Sequence, residues 1–426
     1  MALSLQRYIW SNDNSRFYHL LKQRINEEKE RSMLIAIEKI DHLHENLIIE
    51  ILSWLPVKAL LQFKSVCKLW YAIISSPDFI SKHLNNYYNN DESWRGCIPV
   101  QYYVSHSELE LYELLVDESP RVLADQELDS MPMHSLYVCG SCHGLYYVYH
   151  YDCSGRALWN PAINEFRPLP KIICKPDLPS EFTYASYEVY GFGFDPVSGD
   201  YKVVVMKGYW LTNYDDESDA KHPVSVLVYS LRTNSWRYCG DLARAYSLES
   251  NKCYIYVNGC CYWFGSFEYS SELIISFDMA TDAFKEIDVP DYAQPSSKRL
   301  GVYDDSLAIL CLHQTKKFDI WIWSEECWTR KFTVGPLSDI WCPVGHWRNN
   351  RLLLECNDGK LVLLDPEKPQ EIKDLAFQKE KSCQGVFAYM ESLVSIKDKN
   401  EAGPQNVEEI IDYFGANIFY KKLARG

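Results

Sequence analysis

At 426 residues the chain exceeds the roughly 100–150 residues of one typical compact core, so a small unit joined to a large one is expected. A composition of 47% hydrophobic and 14% aromatic residues, with 31 Tyr and 13 Trp, excludes wholesale disorder. The formal net charge of -15, with no Lys/Arg-rich stretch, argues against nucleic acid and for a basic protein as partner. No apolar run reaches the roughly 18 residues of a membrane span, and the N-terminus lacks the order of a signal peptide. A cytosolic or nuclear protein is expected, in which the 15 cysteines stay reduced and pack as small hydrophobes.

Residues 1–40 read as an extension whose charged RINEEKER segment, Arg24 to Arg31, suits a solvated helix. Over 41–85 the pattern turns helical. Leu43, Leu47, Ile48, Ile51, Leu52 and Leu55 recur near every third and fourth position, and Pro56 stops that helix and opens VKALLQF. A further series runs through Phe63, Val66, Cys67, Trp70, Ile73 and Ile74, and after Ser75-Ser76-Pro77-Asp78 the segment FISKHL makes a last short turn. Three short helices bury little of their own surface, so this unit needs a partner across its apolar stripe.

The polar stretch NNYYNNDES, Asn85 to Ser93, reads as a linker, placed at 86–98. Beyond it, over 99–400, come short apolar and aromatic runs separated by turn residues, such as GLYYVYHY, YKVVVMKGY, CYIYVNGCCYWFG and FDIWIWS. Residues 401–426 form a tail. The runs repeat: in ALWNPAINEFRPLP, VYSLRTNSWRYC and SFDMATDAFKEIDVP, the intervals Asn160 to Phe166, Ser230 to Trp236 and Asp278 to Phe284 are equal, and WIWSEECWTRKF and LLDPEKPQEIKDL follow more loosely. Units start roughly 40–70 residues apart, which brackets the blade length of a β-propeller. Asn258-Gly259 is a favoured two-residue hairpin turn. Strand spacing alone leaves a two-sheet sandwich open, and repetition points to the propeller. The expected fold is α+β as a multidomain chain: a small three-helix unit, then a large all-β domain of the propeller type.

Chemical motifs are sparse. Cys139-Gly-Ser-Cys142-His143 has the spacing of a zinc knuckle, with Cys153 or Cys174 as conceivable further ligands, but no second C-x-x-C pair completes a site. The cysteines are therefore read as structural, with no metal and no cofactor. No G-x-S-x-G elbow, P-loop or H-E-x-x-H sequence occurs, so no catalytic residue is assigned. Tyr214 to Asp219, carrying Asp215, Asp216, Glu217 and Asp219, reads as an acidic loop between strands, suited to a basic partner. Tryptophans at 210, 236, 263, 321, 323, 328, 341 and 347 keep step with the strands and read mainly as core between blades. Trp210 and Trp341, near loops, are the two assigned to recognition.

The segment IDHLHENLIIEILSWLPVKALLQFKSVCKLWYAIISSPDFISKHL resembles a plant-type F-box, departing from the usual pattern at His44. CGSCHGL, LWNPAINEFRPLP, YGFGFDPVSGDYKVVVM, VYSLRTNSW and VNGCCYWF resemble the F-box-associated domain that follows it in many plant proteins. The resemblance implies a non-catalytic receptor of an SCF-type ubiquitin ligase, binding a Skp-type adaptor and through it a cullin. Leu43, Ile51, Leu52, Leu55, Pro56, Leu60, Val66, Cys67 and Trp70 match its adaptor-contacting positions. The β domain would then bind a protein substrate destined for ubiquitination and proteasomal degradation. FGFDPVSGDYKVV and IWIWSEECWTRKFTVGPL are similar to pollen S-locus F-box proteins, which recognise basic style ribonucleases in self-incompatibility. The alternative is an F-box-bearing protein- or glycan-binding module without ligase function.

Overall fold

The computed structural model describes residues 45–89, 96–105, 108–116, 121–123, 136–150, 155–172, 182–211, 224–244, 246–248, 254–267, 271–292, 295–346, 350–378, 383–386 and 390–397. The chain divides into two compact units, residues 1–89 and 90–426.

The first unit holds α1 (Glu45–Leu52), α2 (Val57–Phe63), α3 (Lys68–Ile74) and α4 (Pro77–Asn89). Pro56 stands at the N-cap of α2, and at α3 the Cys67 thiol takes the cap position by accepting from the Trp70 amide. Ile48, Leu52, Val57, Leu60, Trp70, Ile73, Ile74 and Phe79 form the buried core, with Phe63 edge-on to Trp70 at 5.1 Å. The last element departs from the sequence reading. FISKHL begins no short turn but a 13-residue helix, so the linker opens inside α4 and not after it. Two features explain this. The Ser76 hydroxyl caps the Phe79 amide ahead of Pro77, starting a stable helix. Farther on, His83 Nε2 lies 2.9 Å from the Leu55 carbonyl and Asn86 donates to the Ser53 hydroxyl at 2.7 Å, which ties the polar second half of α4 to the end of α1.

The second unit is a propeller of six antiparallel sheets among the described residues. β1 (Gly96–Ser105), β2 (Glu108–Val116) and β3 (Arg121–Leu123) belong to the first sheet. The second holds β4 (Leu136–Cys142), β5 (Leu145–His150), β6 (Arg156–Asn160) and β7 (Glu165–Pro168). The third holds β8 (Phe182–Asp195), β9 (Asp200–Leu211), β10 (Val224–Ser230) and β11 (Ser235–Asp241). In the fourth, β12 (Tyr246–Leu248) and β13 (Ile255–Val257) share one edge of β14 (Cys260–Phe267), followed by β15 (Ser271–Asp278) and β16 (Phe284–Asp288). The fifth holds β17 (Ser297–Tyr303), β18 (Ser306–Leu312), β19 (Phe318–Ser324) and β20 (Cys327–Val334). The sixth holds β21 (Ile340–His346), β22 (Leu352–Cys356), β23 (Lys360–Leu364) and β24 (Lys373–Gln378). β25 (Cys383–Val386) then returns to pair antiparallel with β1. The last and first strands of the β domain thus share one sheet, so that β25 covers the edge of β1 that would otherwise stay unpaired. The sandwich alternative is set aside by this closed series of sheets.

The repeated motif has a local cause. Asn160, Ser230 and Asp278 each end a third strand and turn their side-chain oxygens onto amides of the following turn, at Ala162, Thr233, and Ala280 with Thr281. Asn164, Asn234 and Asp282 then take positive φ, a conformation that Asn and Asp tolerate better than most residues. Across the second and third of these turns an aromatic pair closes the hairpin, Tyr229 on Trp236 at 5.3 Å and Phe277 on Phe284 at 4.9 Å, as does Trp323 on Trp328 at 5.2 Å in the looser fifth unit, while in the first Trp159 stands opposite Phe166 in the ladder. Asn258-Gly259 forms the expected two-residue turn, both residues at positive φ between paired Val257 and Cys260.

Tryptophans then bind sheet to sheet. The indole N–H of Trp236 donates to Pro170 O at 2.7 Å, that of Trp263 to Tyr190 O at 2.8 Å, and that of Trp328 to Asp288 O at 2.7 Å, each reaching the preceding sheet. Tyr254 and Tyr256 extend the seam by donating to Phe192 O and Phe194 O. Carbonyls at 190, 192 and 194 alternate along β8, so one edge of a single strand receives the whole row. Gly191 and Gly193 leave the room for it: a Cβ on Gly191 would lie 2.5 Å from Trp263, and one on Gly193 2.3 Å from Tyr256.

Below that seam Asp195 turns β8 into β9. Its carboxylate accepts from the Val197 amide at 2.9 Å, the Ser198 amide at 3.1 Å and the Ser198 hydroxyl at 2.6 Å, and pairs with Lys202 at 2.9 Å. Burial raises the carboxyl pKa, but the Ser198, Lys202 and Val197 bonds outweigh it and bring it down to about 2. A folded-state pKa below the unfolded value gives stability that is complete above about pH 5 and fades as pH falls toward 2, amounting to about 2 kcal/mol. Urea titrations should therefore show Asp195→Asn less stable than wild type at pH 7, with the gap closing between pH 5 and pH 2. A gap independent of pH would contradict this role.

Candidate functional site

Two regions bear on the sequence expectations, one on each unit. On the helical unit, Leu47, Ile51, Trp54, Leu61, Leu69 and Tyr71 are 36–58% exposed although all are large and apolar. Leu47, Ile51 and Trp54 follow a four-and-three spacing along α1 and its closing turn, opposite buried Ile48 and Leu52. An α-helix apolar on both faces in so small a unit has one face for its own core and one for another molecule.

The residues assigned to adaptor contact divide accordingly. Ile51, Pro56 and Cys67 lie at the surface and Leu55 and Val66 are half-buried. Leu52, Leu60 and Trp70 point inward, at most 2% exposed, where they hold the three helices in register. Leu43 lies outside the described residues. Leu47, Trp54, Leu61, Leu69 and Tyr71 were not assigned, yet the signal was present: Leu47 with Ile48, and Ile51 with Leu52, are adjacent apolar residues about 100° apart on the helix, which together widen the apolar stripe beyond what one core contact needs.

On the propeller, topology separates two ends. In the second to sixth sheets the first strand is innermost, judged by the packing of β4 on β8, β13 on β17 and β17 on β21. First-to-second and third-to-fourth turns therefore gather at one end, and these are the tight capped turns described above. The ends of the second and fourth strands lie at the other; residues 124–135, 173–181 and 212–223 are outside the described residues. Trp341, 59% exposed at the entry to β21, belongs to this second end. Trp210 stands next to the end of β9, at the same end. Asp215, Asp216, Glu217 and Asp219, assigned to the same surface, fall within 212–223 and lie outside the described residues. The topology thus brings to one end sequence features that are up to 131 positions apart (Trp341 less Trp210).

No reactive cluster stands out among the described residues, and none of their His, Cys, Asp and Glu side chains form a metal-holding group of three or more. Cys142 is buried, with its thiol pKa pushed up by desolvation, and His143 starts a two-residue turn with its Nδ1 3.0 Å from the Tyr201 hydroxyl. Cys153 and Cys174 lie outside the described residues. A cleft of about 310 Å³ opens beside β16 and the β19–β20 hairpin, lined in part by Trp323, Trp328 and Glu326. Its Glu326 is already paired with Lys285 at 2.5 Å, and Glu286 with Arg244 at 3.5 Å.

Residues 40–82 match the F-box domain model, and residues 101–367 match the model described as F-box associated beta propeller domain. The chain is a plant-type F-box protein with an F-box-associated propeller. Among its relatives, the Arabidopsis thaliana F-box protein CPR1 is 26% identical over 371 residues, spanning 80% of this chain and 86% of that one. An F-box/kelch-repeat protein of the same plant is 27% identical over 73% of this F-box protein and 87% of its own length. Of solved structures, an oligogalacturonate lyase of Vibrio parahaemolyticus aligns at 8% identity and a TM-score of 0.38, over 65% of this chain and 78% of that one, a likeness too distant to bear on function.

Proposed function

We propose that this F-box protein is the substrate-recognition subunit of an SCF-type ubiquitin ligase. The carrying observation is the exposed apolar face of Leu47, Ile51, Trp54, Leu61, Leu69 and Tyr71 on a unit matching the F-box model. Burying those side chains against a Skp-type adaptor removes from water a surface that a lone domain would not keep. The adaptor brings the cullin, and the propeller brings a target protein, so catalysis is by proximity: a substrate lysine is held near the charged conjugating enzyme, and this chain supplies no reacting group. Such a subunit would work in the cytosol or nucleus.

The target is a basic protein, held at the propeller end where Trp341 is exposed and where the acidic 212–223 connection joins β9 to β10. A role like that of S-locus F-box proteins, with basic ribonucleases as targets, is one form of this reading and rests on the motif likeness alone. The test of the ligase assignment is co-expression with a Skp-type adaptor: a stable complex on gel filtration is expected, and two separate peaks would overturn it. For the target end, Trp341→Ala should leave the melting temperature and adaptor binding unchanged while lowering recovery of labelled targets in proximity labelling by tenfold or more. Unchanged recovery would remove Trp341 from the recognition surface.

A further inference from the structure

Beyond β25 the chain does not simply leave the propeller. Residues 390–397, which form neither helix nor strand, lie along the turn end of the second sheet, with Met390, Leu393 and Ile396 almost wholly buried. What holds them is specific. Asn160, fully buried, donates its side-chain amide to Ser392 O at 3.0 Å and Val394 O at 2.8 Å, while its own oxygen caps the Ala162 amide. Arg167 donates to Ile396 O at 3.0 Å. The Glu165 carboxylate accepts from the Ile396 amide and from the Ser395 hydroxyl, both at 2.8 Å. Gly144 permits the close approach, since a Cβ there would lie 2.3 Å from Met390 O and 2.5 Å from Ser392 Cβ.

Nearly all of these bonds run from side chains of the second sheet to the main chain of the segment, which is how a receptor grips an extended peptide. Specificity then rests on three apolar side chains three residues apart. The ring itself is closed elsewhere, by the pairing of Val100 with Val386, Gln101 with Gly385 and Tyr102 with Cys383. The segment is therefore additional to the strand closure and forms no ladder with any sheet among the described residues.

We propose that the turn end of the second sheet is a peptide-binding groove, built by Gly144, Asn160, Glu165 and Arg167, whose resident ligand is the 390–397 segment of the same chain. The segment acts as a latch: it occupies the groove in cis and can be replaced in trans by a peptide with the same apolar spacing while the six sheets stay intact. The inference is independent of the ligase reading, because the groove uses none of the residues assigned to adaptor contact and lies at the opposite end of the propeller from the proposed target end.

The test uses the full chain with a specific protease site inserted between 386 and 390, cut after folding. A fluorescent peptide of residues 388–399 should displace the cut segment and bind saturably at one site per chain, with circular dichroism unchanged. Glu165→Gln combined with Arg167→Met should weaken binding at least tenfold, and a peptide carrying Leu393→Asp should not bind. Failure of excess peptide to exchange while the sheets remain folded, or equal binding to the double variant, would overturn the proposal. Hydrogen exchange on the uncut wild-type chain gives a second reading that needs no insertion. The Ile396 amide should exchange through a local opening, at least tenfold faster than amides of β18; exchange at the same rate would make the segment an inseparable part of the core and overturn the latch.

Discussion

Ile51→Asp combined with Tyr71→Asp is expected to abolish co-purification of the Skp-type adaptor while leaving the helical unit folded. Both side chains are about half exposed, so charging them costs the isolated chain little, but in a complex each would bury an unpaired carboxylate. A loss of at least a hundredfold in affinity is expected, corresponding to about 3 kcal/mol. Trp70→Asp should give the same loss of binding for another reason. Trp70 is 2% exposed and packs on Phe63, so its charge lands in the core and the unit unfolds. Circular dichroism and proteolysis separate the two cases. If the exposed-face double variant still binds the adaptor at wild-type affinity, that face is not the adaptor surface.

Trp263→Ala is expected to cost about 3–5 kcal/mol, the range for removing a large aromatic from a packed core. Trp263 is almost wholly buried and joins the third and fourth sheets through its bond to Tyr190 O. Its partner in shape is Gly191, where an added methyl meets the indole at 2.5 Å. Gly191→Ala alone should therefore cost about 1–3 kcal/mol by overpacking. Combined with Trp263→Ala it should cost much less than the sum, because the methyl then enters space the indole has vacated. A double-mutant cycle in urea measures that coupling. Strict additivity would show that Gly191 is needed for some reason other than this contact.

That coupling also marks where sequence reading stops. The repeat Asn160 to Phe166, Ser230 to Trp236 and Asp278 to Phe284 was legible because its cause is local: a capped turn, a left-handed residue and facing aromatic positions on the two strands are all close neighbours in sequence. YGFGFDP stood out as a motif, but its glycines gained meaning only when Trp263 and Tyr256, more than 60 positions away, were found against them. The tryptophans at 236, 263 and 328 were rightly placed between sheets, since their step with the strands is a period that sequence records. Trp341 keeps the same step and is exposed, because it stands where β21 begins and no sheet among the described residues covers it.

By itself the sequence determined that a small apolar helical unit precedes a repetitive, aromatic all-β domain, and that the former resembles an F-box. Helical period, two-residue turns and strand repetition are properties of neighbouring residues, so they survive without coordinates. Only the tertiary structure decided which large side chains of the helices face inward and which stay exposed, as between Trp70 and Tyr71, because both are aromatic and only packing assigns the faces. It alone showed that the last helix runs on to Asn89, since the contacts of His83 and Asn86 with Leu55 and Ser53 are long-range. It alone also carried residues 390–397 back to Asn160, a contact across more than 230 positions that no local pattern encodes.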